Sequence, residues 1–234
     1  MKKIIYFFSI TFLILQSCSN NDNSDNNSNN NNEESAIVTD IDGNTYQLVT
    51  ICNKTWTKSN LNVSRYRNGD NIPQVTNGSQ WATLTTGAWC YYANTTPNGT
   101  IYGKLYNWYA VNDPRGLAPS GYHIPTEAEW TSLATCLGGE AIAGGKMKST
   151  GTTLWQSPNT GATNSSGFMG LPAGAHTNFA PLYFEDINDG TSFWSSTQES
   201  TTDAWSRSLY YTETSLINET YWKHFGLSVR CIKD

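Results

Sequence analysis

An α+β domain with a mainly antiparallel sheet and long surface loops is the architecture this sequence predicts, and three observations predict it. Residues 121–139 (GYHIPTEAEWTSLATCLGG) carry a complete helix signal, start and stop included. Short alternating or apolar runs at 36–51, 192–195, 204–211 and 227–232 read as strands. Between them, residues 144–170 mix Gly, Ser, Thr and Asn around isolated Met147, Leu154, Trp155 and Phe168, the pattern of a long excursion held by a few apolar anchors.

In chain order the first element is a processing signal over residues 1–18. Lys2 and Lys3 precede an apolar run at 4–15, and Leu15-Gln16-Ser17-Cys18 closes it as a bacterial lipoprotein signal does, which makes Cys18 the expected lipidated N-terminus. The run is shorter than the about 20 apolar residues of a membrane-spanning helix. Residues 19–32 contain only Asn, Ser and Asp, cannot bury apolar surface, and predict a disordered tether over 19–36. The folded domain is expected at 37–234. Removing the leader takes two lysines and moves the formal charge from −5 to −7, which argues against a nucleic-acid partner because that needs a basic face. Charged residues are 14% of the chain against about 25% on average, so the surface must be built from Asn, Thr, Ser and Tyr.

The domain opens on a hairpin at 36–51, with Ile37, Thr39 and Ile41 alternating, Asp42-Gly43 as the turn, and Tyr46, Leu48 and Val49 on the return. Asp40 and Asp42 invite a calcium loop, but the ligand spacing stops at Asn44. Residues 55–61 bring the first Trp, and 68–73 form a turn cluster. Residues 81–92 read as a helical or irregular stretch entering a strand at 88–92, followed by a loop at 94–99. Leu105, Trp108, Tyr109 and Val111 then fall near helical spacing, predicting a helix over 102–111 that ends at Asn112-Asp113-Pro114. The capped helix follows. Thr126 and Glu129 make a capping box, and Glu127 and Glu129 sit at the positive end of the dipole. Trp130, Leu133, Ala134 and Leu137 form one apolar stripe, and Gly138-Gly139 end the helix. Besides Cys18 there are Cys52, Cys90, Cys136 and Cys231, which allow three disulfide connectivities; Cys136, beside the stripe, reads as a buried free thiol.

DIDGNTY, TWTKSNL, GAWCYY, YGKLYNWYAV, GLAPSGYHIPTEAEW, FWSST and GLSVRCIKD occur here in an order that resembles the Fibrobacter succinogenes major paralogous domain family of bacterial surface-anchored proteins, many of them from Bacteroidetes. The match spans residues 38–234. More distantly, HIPTEAEW is similar to the RLPTEAEWE signature of formylglycine-generating (sulfatase-modifying) enzymes, whose fold is C-type-lectin-like. This resemblance implies two helices on a twisted antiparallel sheet with the terminal strands together, and a Cys52–Cys231 disulfide. The enzymatic activity does not carry over. Those enzymes bind copper through two cysteines in the C-terminal half, where this chain has Cys231 alone, and their GNVWEW and RGGSW motifs are missing. The Glu-Pro-Asn sugar motif of calcium-dependent lectins is absent, Ser157-Pro158-Asn159 lacking the acid.

For chemistry, His123, His176 and His224 lie on separate segments, and one of them beside a carboxylate such as Glu127 or Asp186 would make a base. Ser195 and Ser196 sit in no nucleophile elbow. Asp186-Ile187-Asn188-Asp189-Gly190 is an acidic turn without the spacing of a metal loop. For binding, Trp155, Tyr183, Trp194, Trp205, Tyr210 and Tyr211 are the candidates, since aromatic faces beside Asn, Gln and Thr suit sugars or proteins. The competing reading makes Trp194 and Trp205 core residues of two strands, and Tyr183 and Tyr210 the better candidates for exposure. The expectation is therefore a lipid-anchored protein of the outer membrane or cell surface, with a non-catalytic domain for a glycan or protein ligand and no cofactor or metal. The alternative is an enzyme on the sulfatase-modifying scaffold.

Overall fold

The N-terminal hairpin closes on one carboxylate. The structure, a computed structural model, describes residues 36–177, 179 and 183–234, so the expected leader, Cys18 and all of the tether but its last residue lie outside the described residues. Strands β1 (Ile37–Thr39) and β2 (Thr45–Ile51) pair antiparallel. In their turn Asp40 Oδ1 accepts the backbone N–H groups of Asp42 and Asn44, while Oδ2 accepts Tyr46 OH at 2.5 Å and the Asn44 amide. Those oxygens serve the turn and hold no calcium loop. Strand β3 (Lys54–Thr57) extends the sheet.

The next stretch departs from expectation. After a short helix α1 (Gly78–Trp81), strand β4 (Trp89–Cys90) and a 3-10 turn at Tyr92–Asn94, helix α2 (Thr96–Tyr102) occupies most of the expected loop at 94–99. The helix predicted at 102–111 is broken. Gly103 takes φ 78°, Leu105–Tyr106 form strand β5 against β4, and a single turn α3 (Trp108–Val111) restarts behind Asn107. Asn107 explains the restart: its side-chain oxygen accepts from Ala110 N and Ala88 N, and its amide donates to Thr86 O. A cap in mid-pattern outweighs helical spacing.

Strand β6 (Tyr122–His123) leads into helix α4 (Glu127–Cys136), where the capping box forms as predicted and Trp130, Leu133 and Ala134 are buried. Gly139 N donates to Ala134 O and Gly138 N to Thr135 O, a complete Schellman ending. Helix α5 (Glu140–Met147) follows, its second half inside the excursion expected at 144–170. Two glycines hid it. A Cβ on Gly144 would stand 2.0 Å from Ser215 O and one on Gly145 2.5 Å from Gly161 O, so residues that weaken helix propensity are required by close backbone approach. The remaining strands are β7 (Ala173–His176), β8 (Phe184–Ile187), β9 (Gly190–Gln198), β10 (Asp203–Tyr210), β11 (Ile217–Trp222) and β12 (Ile232–Lys233).

Two five-stranded sheets result, ordered β1-β2-β3-β12-β6 and β11-β10-β9-β7-β8; their pairings are antiparallel except β7 with β9. Ile232 pairs with both Trp56 and His123, which brings the two ends of the described chain together. Trp56 of β3, Trp130 of α4, Phe168 and Phe193 of β9 meet in one core, each at most 1% exposed, with Trp56–Trp130 centroids 5.0 Å apart. Helix and both sheets are welded there.

Buried cations hold the loops. Lys148 Nζ donates to the carbonyls of Thr160, Tyr210 and Glu213, and Lys223 Nζ to Ser200 O, Thr201 O and Gln198 Oε1. Arg230, fully buried, binds Asn60 Oδ1 and the carbonyls of Thr57, Phe168 and Met169 while lying 4.4 Å from the Phe168 ring centroid. Loop carbonyls that no sheet would satisfy are thereby paired.

The disulfide differs from that implied by resemblance. Cys52 joins Cys136, with Cα atoms 6.3 Å apart, linking the turn after β2 to the end of α4. Cys231 is free and fully buried although its segment does run beside β3. Its side chain enters the core layer with Tyr46, Val229 and Leu227, whereas Cys52, at φ 54°, lies beyond the strand end at the surface. Cys136 is correspondingly bonded and exposed, not a buried thiol.

Candidate functional site

The edge strand β11 and its neighbour β10 carry an open concave surface with aromatic and polar lining. Register pairs Trp205 with Thr220, Asp203 with Trp222 and Arg207 with Asn218. A shallow groove of about 690 Å³ runs over this ribbon, lined by Trp205, Asn218, Thr220 and the carboxylates Glu199, Asp203 and Glu219. A smaller recess of about 220 Å³ adjoins it, where Asp203 meets Phe179, Tyr221, Trp222 and Phe225. Phe179 is 54% exposed and Trp222 45%, an unusual display for such rings.

The carboxylates are oriented by local hydroxyls. Asp203 accepts Ser200 Oγ at 3.0 Å and Thr202 Oγ1 at 2.5 Å; Glu219 accepts Ser208 Oγ at 2.7 Å and Tyr221 OH at 2.9 Å. Among the described residues lining the two recesses none is Lys or Arg. Lys223 is near, but its ammonium is turned to its three oxygens and lies 4.8 Å from the Trp108 centroid. At the far end of the ribbon, fully buried Arg207 joins Glu127 and Glu140 and takes Thr131 Oγ1, while Asn218 donates to Glu127. That cluster fixes both helix starts to β10, that of α4 through Glu127 Oε1, while Glu127 Oε2 is buried with no hydrogen-bond partner among the described residues.

The aromatic candidates separate. Trp155 and Trp194 are core residues, at most 1% exposed, their indole N–H groups donating to Ser149 Oγ and Gly170 O and to Tyr106 O. As ligand contacts they are corrected. Tyr210 pairs across strands with Gly190 and lies where a Cβ there would stand 2.6 Å away, and Tyr183 covers Gly78 at 2.5 Å and stacks on His176. Both rings fill the space a glycine leaves, so these half-buried tyrosines pack rather than project. Tyr211 is half-buried against the core of α4. Trp205 lines the groove. Trp222 was missed because strand β11 was missed; its signal was the alternation of Ile217, Glu219 and Tyr221 with Asn218, Thr220 and Trp222, whereas Phe179 and Phe225 lie outside that strand and carried no local signal.

His123 stands apart from the other two histidines, while His176 and His224 lie close enough for His224 to add to the lowering of the His176 pKa. His123 bridges Asp234 (Nδ1, 2.7 Å) and Glu129 (Nε2, 3.0 Å). Burial opposes its charge, but the carboxylates of Asp234 and Glu129 prevail and raise its pKa. Both nitrogens are engaged, which removes the lone pair a base needs. His176 is buried against Trp81, centroids 4.6 Å apart, and burial depresses it to about 4. His224 lies against Trp222 and Phe225, its pKa lowered by burial against the pull of Asp203. Asp186 is raised by burial and by Glu185, Asp189 and Glu219. Ser195 and Ser196 lie within β9, where Ser195 Oγ accepts Thr197 N. Among the described residues no group of three or more His, Cys, Asp or Glu is placed to hold a metal ion, and no helix is long and apolar enough to cross a membrane.

A third recess, about 340 Å³, lies under the disulfide with Ile51, Trp56, Leu133 and Ile232 as its floor. Its carboxylate, Glu129, is occupied by Thr126 N and Oγ1 and by His123. The fold uses that polarity.

Residues 49–233 match the family model of the Fibrobacter succinogenes major domain, and the chain belongs to that family. No curated protein and no solved structure matches it.

Proposed function

We propose that this member of the Fibrobacter succinogenes major domain family is a lipid-anchored protein of the outer membrane or cell surface whose domain, C-type-lectin-like in fold, is non-catalytic and binds a glycan or protein ligand on the β10–β11 face. The observation that carries the reading is an aromatic surface of exposed Trp222 and Phe179 and half-buried Trp205, set beside three carboxylates, Asn218 and Thr220. Aromatic faces give contact area at low entropic cost, and the polar groups fix orientation. The leader ending at Cys18 and the Asn/Ser/Asp tether support display at a membrane. A surface disulfide supports export. Cys231 weighs against thiol–copper chemistry: it is fully buried, and burial pushes its thiol up to about 12, far from the thiolate such chemistry uses.

Two measurements test the reading. Cys18→Ser should move the protein from the membrane to the soluble fraction; retention in membranes with no lipid on the wild type by mass spectrometry would remove the anchor. On glycan and protein arrays the mature chain should show a ligand that Trp205→Ala loses at unchanged circular dichroism. Copper uptake with turnover of a Cys-containing sulfatase peptide, both abolished by Cys231→Ser, would replace binding with enzymology.

A further inference from the structure

We propose that the recess formed by Phe179, Tyr221, Trp222 and Phe225 and closed by Asp203 takes an alkylated ammonium group; this deepens the binding-domain reading and rests on it. Ring orientation is the first argument. A flat saccharide is received by rings that share one broad plane, but here Trp222 and Phe225 stand at 84°, Phe179 and Phe225 at 88°, and Phe179 and Trp222 at 47°, with centroids 5.7, 6.0 and 6.4 Å apart. Tyr221 stacks on Phe225 at 29°, centroids 5.6 Å apart, and the other rings turn across that pair, so the recess offers a concave aromatic surface rather than one flat plane, a shape that suits a rounded cation. Phe225, 5% exposed, is the floor, and the two half-exposed rings are walls.

Charge is the second argument. Asp203 borders the recess, Glu199 and Glu219 lie in the adjoining groove, and among the described residues no Lys or Arg lines either one. The hydroxyls of Ser200 and Thr202 hold the Asp203 carboxylate in place, and the Lys223 ammonium, spent on Ser200 O, Thr201 O and Gln198 Oε1, offsets part of its charge from outside the recess and leaves Glu199 and Glu219 to add to the field. An anion is repelled there, and a neutral sugar gains nothing from the field. A primary ammonium gains the field but gives up strong hydration. An alkylated ammonium keeps the charge, is weakly hydrated, and presents methyl groups to the rings. The volume, about 220 Å³, is several times the roughly 30 Å³ of one water and fits a head group rather than a chain.

Titration of the mature full chain with choline and with its uncharged isostere 3,3-dimethylbutan-1-ol tests this. Choline should bind at least tenfold more tightly than the isostere. Trp222→Ala and Asp203→Asn should each lose at least tenfold of the choline affinity with unchanged circular dichroism, and Trp222→Phe, which keeps a ring, should lose less. If Asp203→Asn misfolds, the Trp222 pair and the isostere still decide. Cosedimentation with phosphatidylcholine vesicles against binding of a trimethyl-lysine peptide tells a lipid source from a polypeptide one. Equal affinity for choline and isostere, or choline binding that survives Trp222→Ala, overturns the inference. An array ligand lost in Trp205→Ala but indifferent to choline also overturns it while the binding-domain reading stands; silence from both array and choline overturns both.

Discussion

Two aromatic clusters in this protein are built from the same side chains and put to opposite use. Trp56, Trp130, Phe168 and Phe193 are closed between α4 and the two sheets, at most 1% exposed, while Phe179 and Trp222 stand about half exposed over Phe225 at the edge of the second sheet. The closed cluster is contacted by one cation, Arg230, whose donors go to Asn60 and three carbonyls, so it adds no net demand for a ligand. The open cluster has a carboxylate beside it and, among the described residues, no Lys or Arg in its lining; the nearest ammonium, Lys223, is turned to Ser200 O, Thr201 O and Gln198 Oε1. An aromatic ring is therefore uninformative by type. What separates core from site is whether a second layer covers it and whether the neighbouring charge already has its counter-charge.

The largest expected effect breaks the closed cluster. Trp130→Ala should cost about 3–5 kcal/mol in a denaturant titration, since the ring is fully buried and touches Trp56, Phe168 and Phe193. A cost below about 1 kcal/mol would mean that helix and sheets are not joined there. The next sharpens the contrast through pH. His176 is neutral in the fold, with its pKa depressed by burial from 6.5 to about 4, so the unfolded chain takes up a proton that the folded chain refuses as pH falls through that window. Stability should fall by about 3 kcal/mol from pH 6.5 to 4 on this account, and His176→Gln should flatten the slope. His123 acts in the reverse sense: its pKa is raised, so its contribution is full below about 6.5 and lost as pH rises through the raised value. An unchanged acid slope in His176→Gln would contradict the burial argument.

Smaller is the cap. Thr126→Ala should cost about 1 kcal/mol by removing the hydroxyl that Glu129 N and the Glu129 carboxylate share. Smallest is the open cluster. Trp222→Ala should change stability by less than about 0.5 kcal/mol, as an exposed edge-strand side chain does. A loss comparable with that of Trp130→Ala would make Trp222 a core residue and erase the comparison.

Much of the fold was legible because its signals are local. The Thr126/Glu129 box and the Gly138-Gly139 stop each act within a few residues and formed as read, and the opening hairpin formed with its tight turn one residue earlier than expected, centred on Ile41-Asp42, where Gly43 N donates to Asp40 O. The predicted helix at 102–111 failed because Asn107, a cap inside a helical apolar pattern, bonds Ala88 and Thr86, about twenty residues upstream. Helix α5 was hidden because Gly144 and Gly145 answer to Ser215 and Gly161, not to propensity. Of the candidate site, Trp205 was legible, while Trp155, Trp194, Tyr183 and Tyr210 were read as available and are engaged in packing.

By itself the sequence determined the α+β composition, the capped helix, the opening hairpin and membership of the family, since short-range spacing and residue type suffice for these. Only the tertiary structure decided that Cys52 joins Cys136 rather than Cys231, that Tyr210 and Tyr183 cover glycines, and that Trp222 and Phe179 stay uncovered. The physical reason is that pairing and exposure depend on what the other layer places opposite a side chain. That neighbour can be a hundred residues away, as Cys231 and the core around it show.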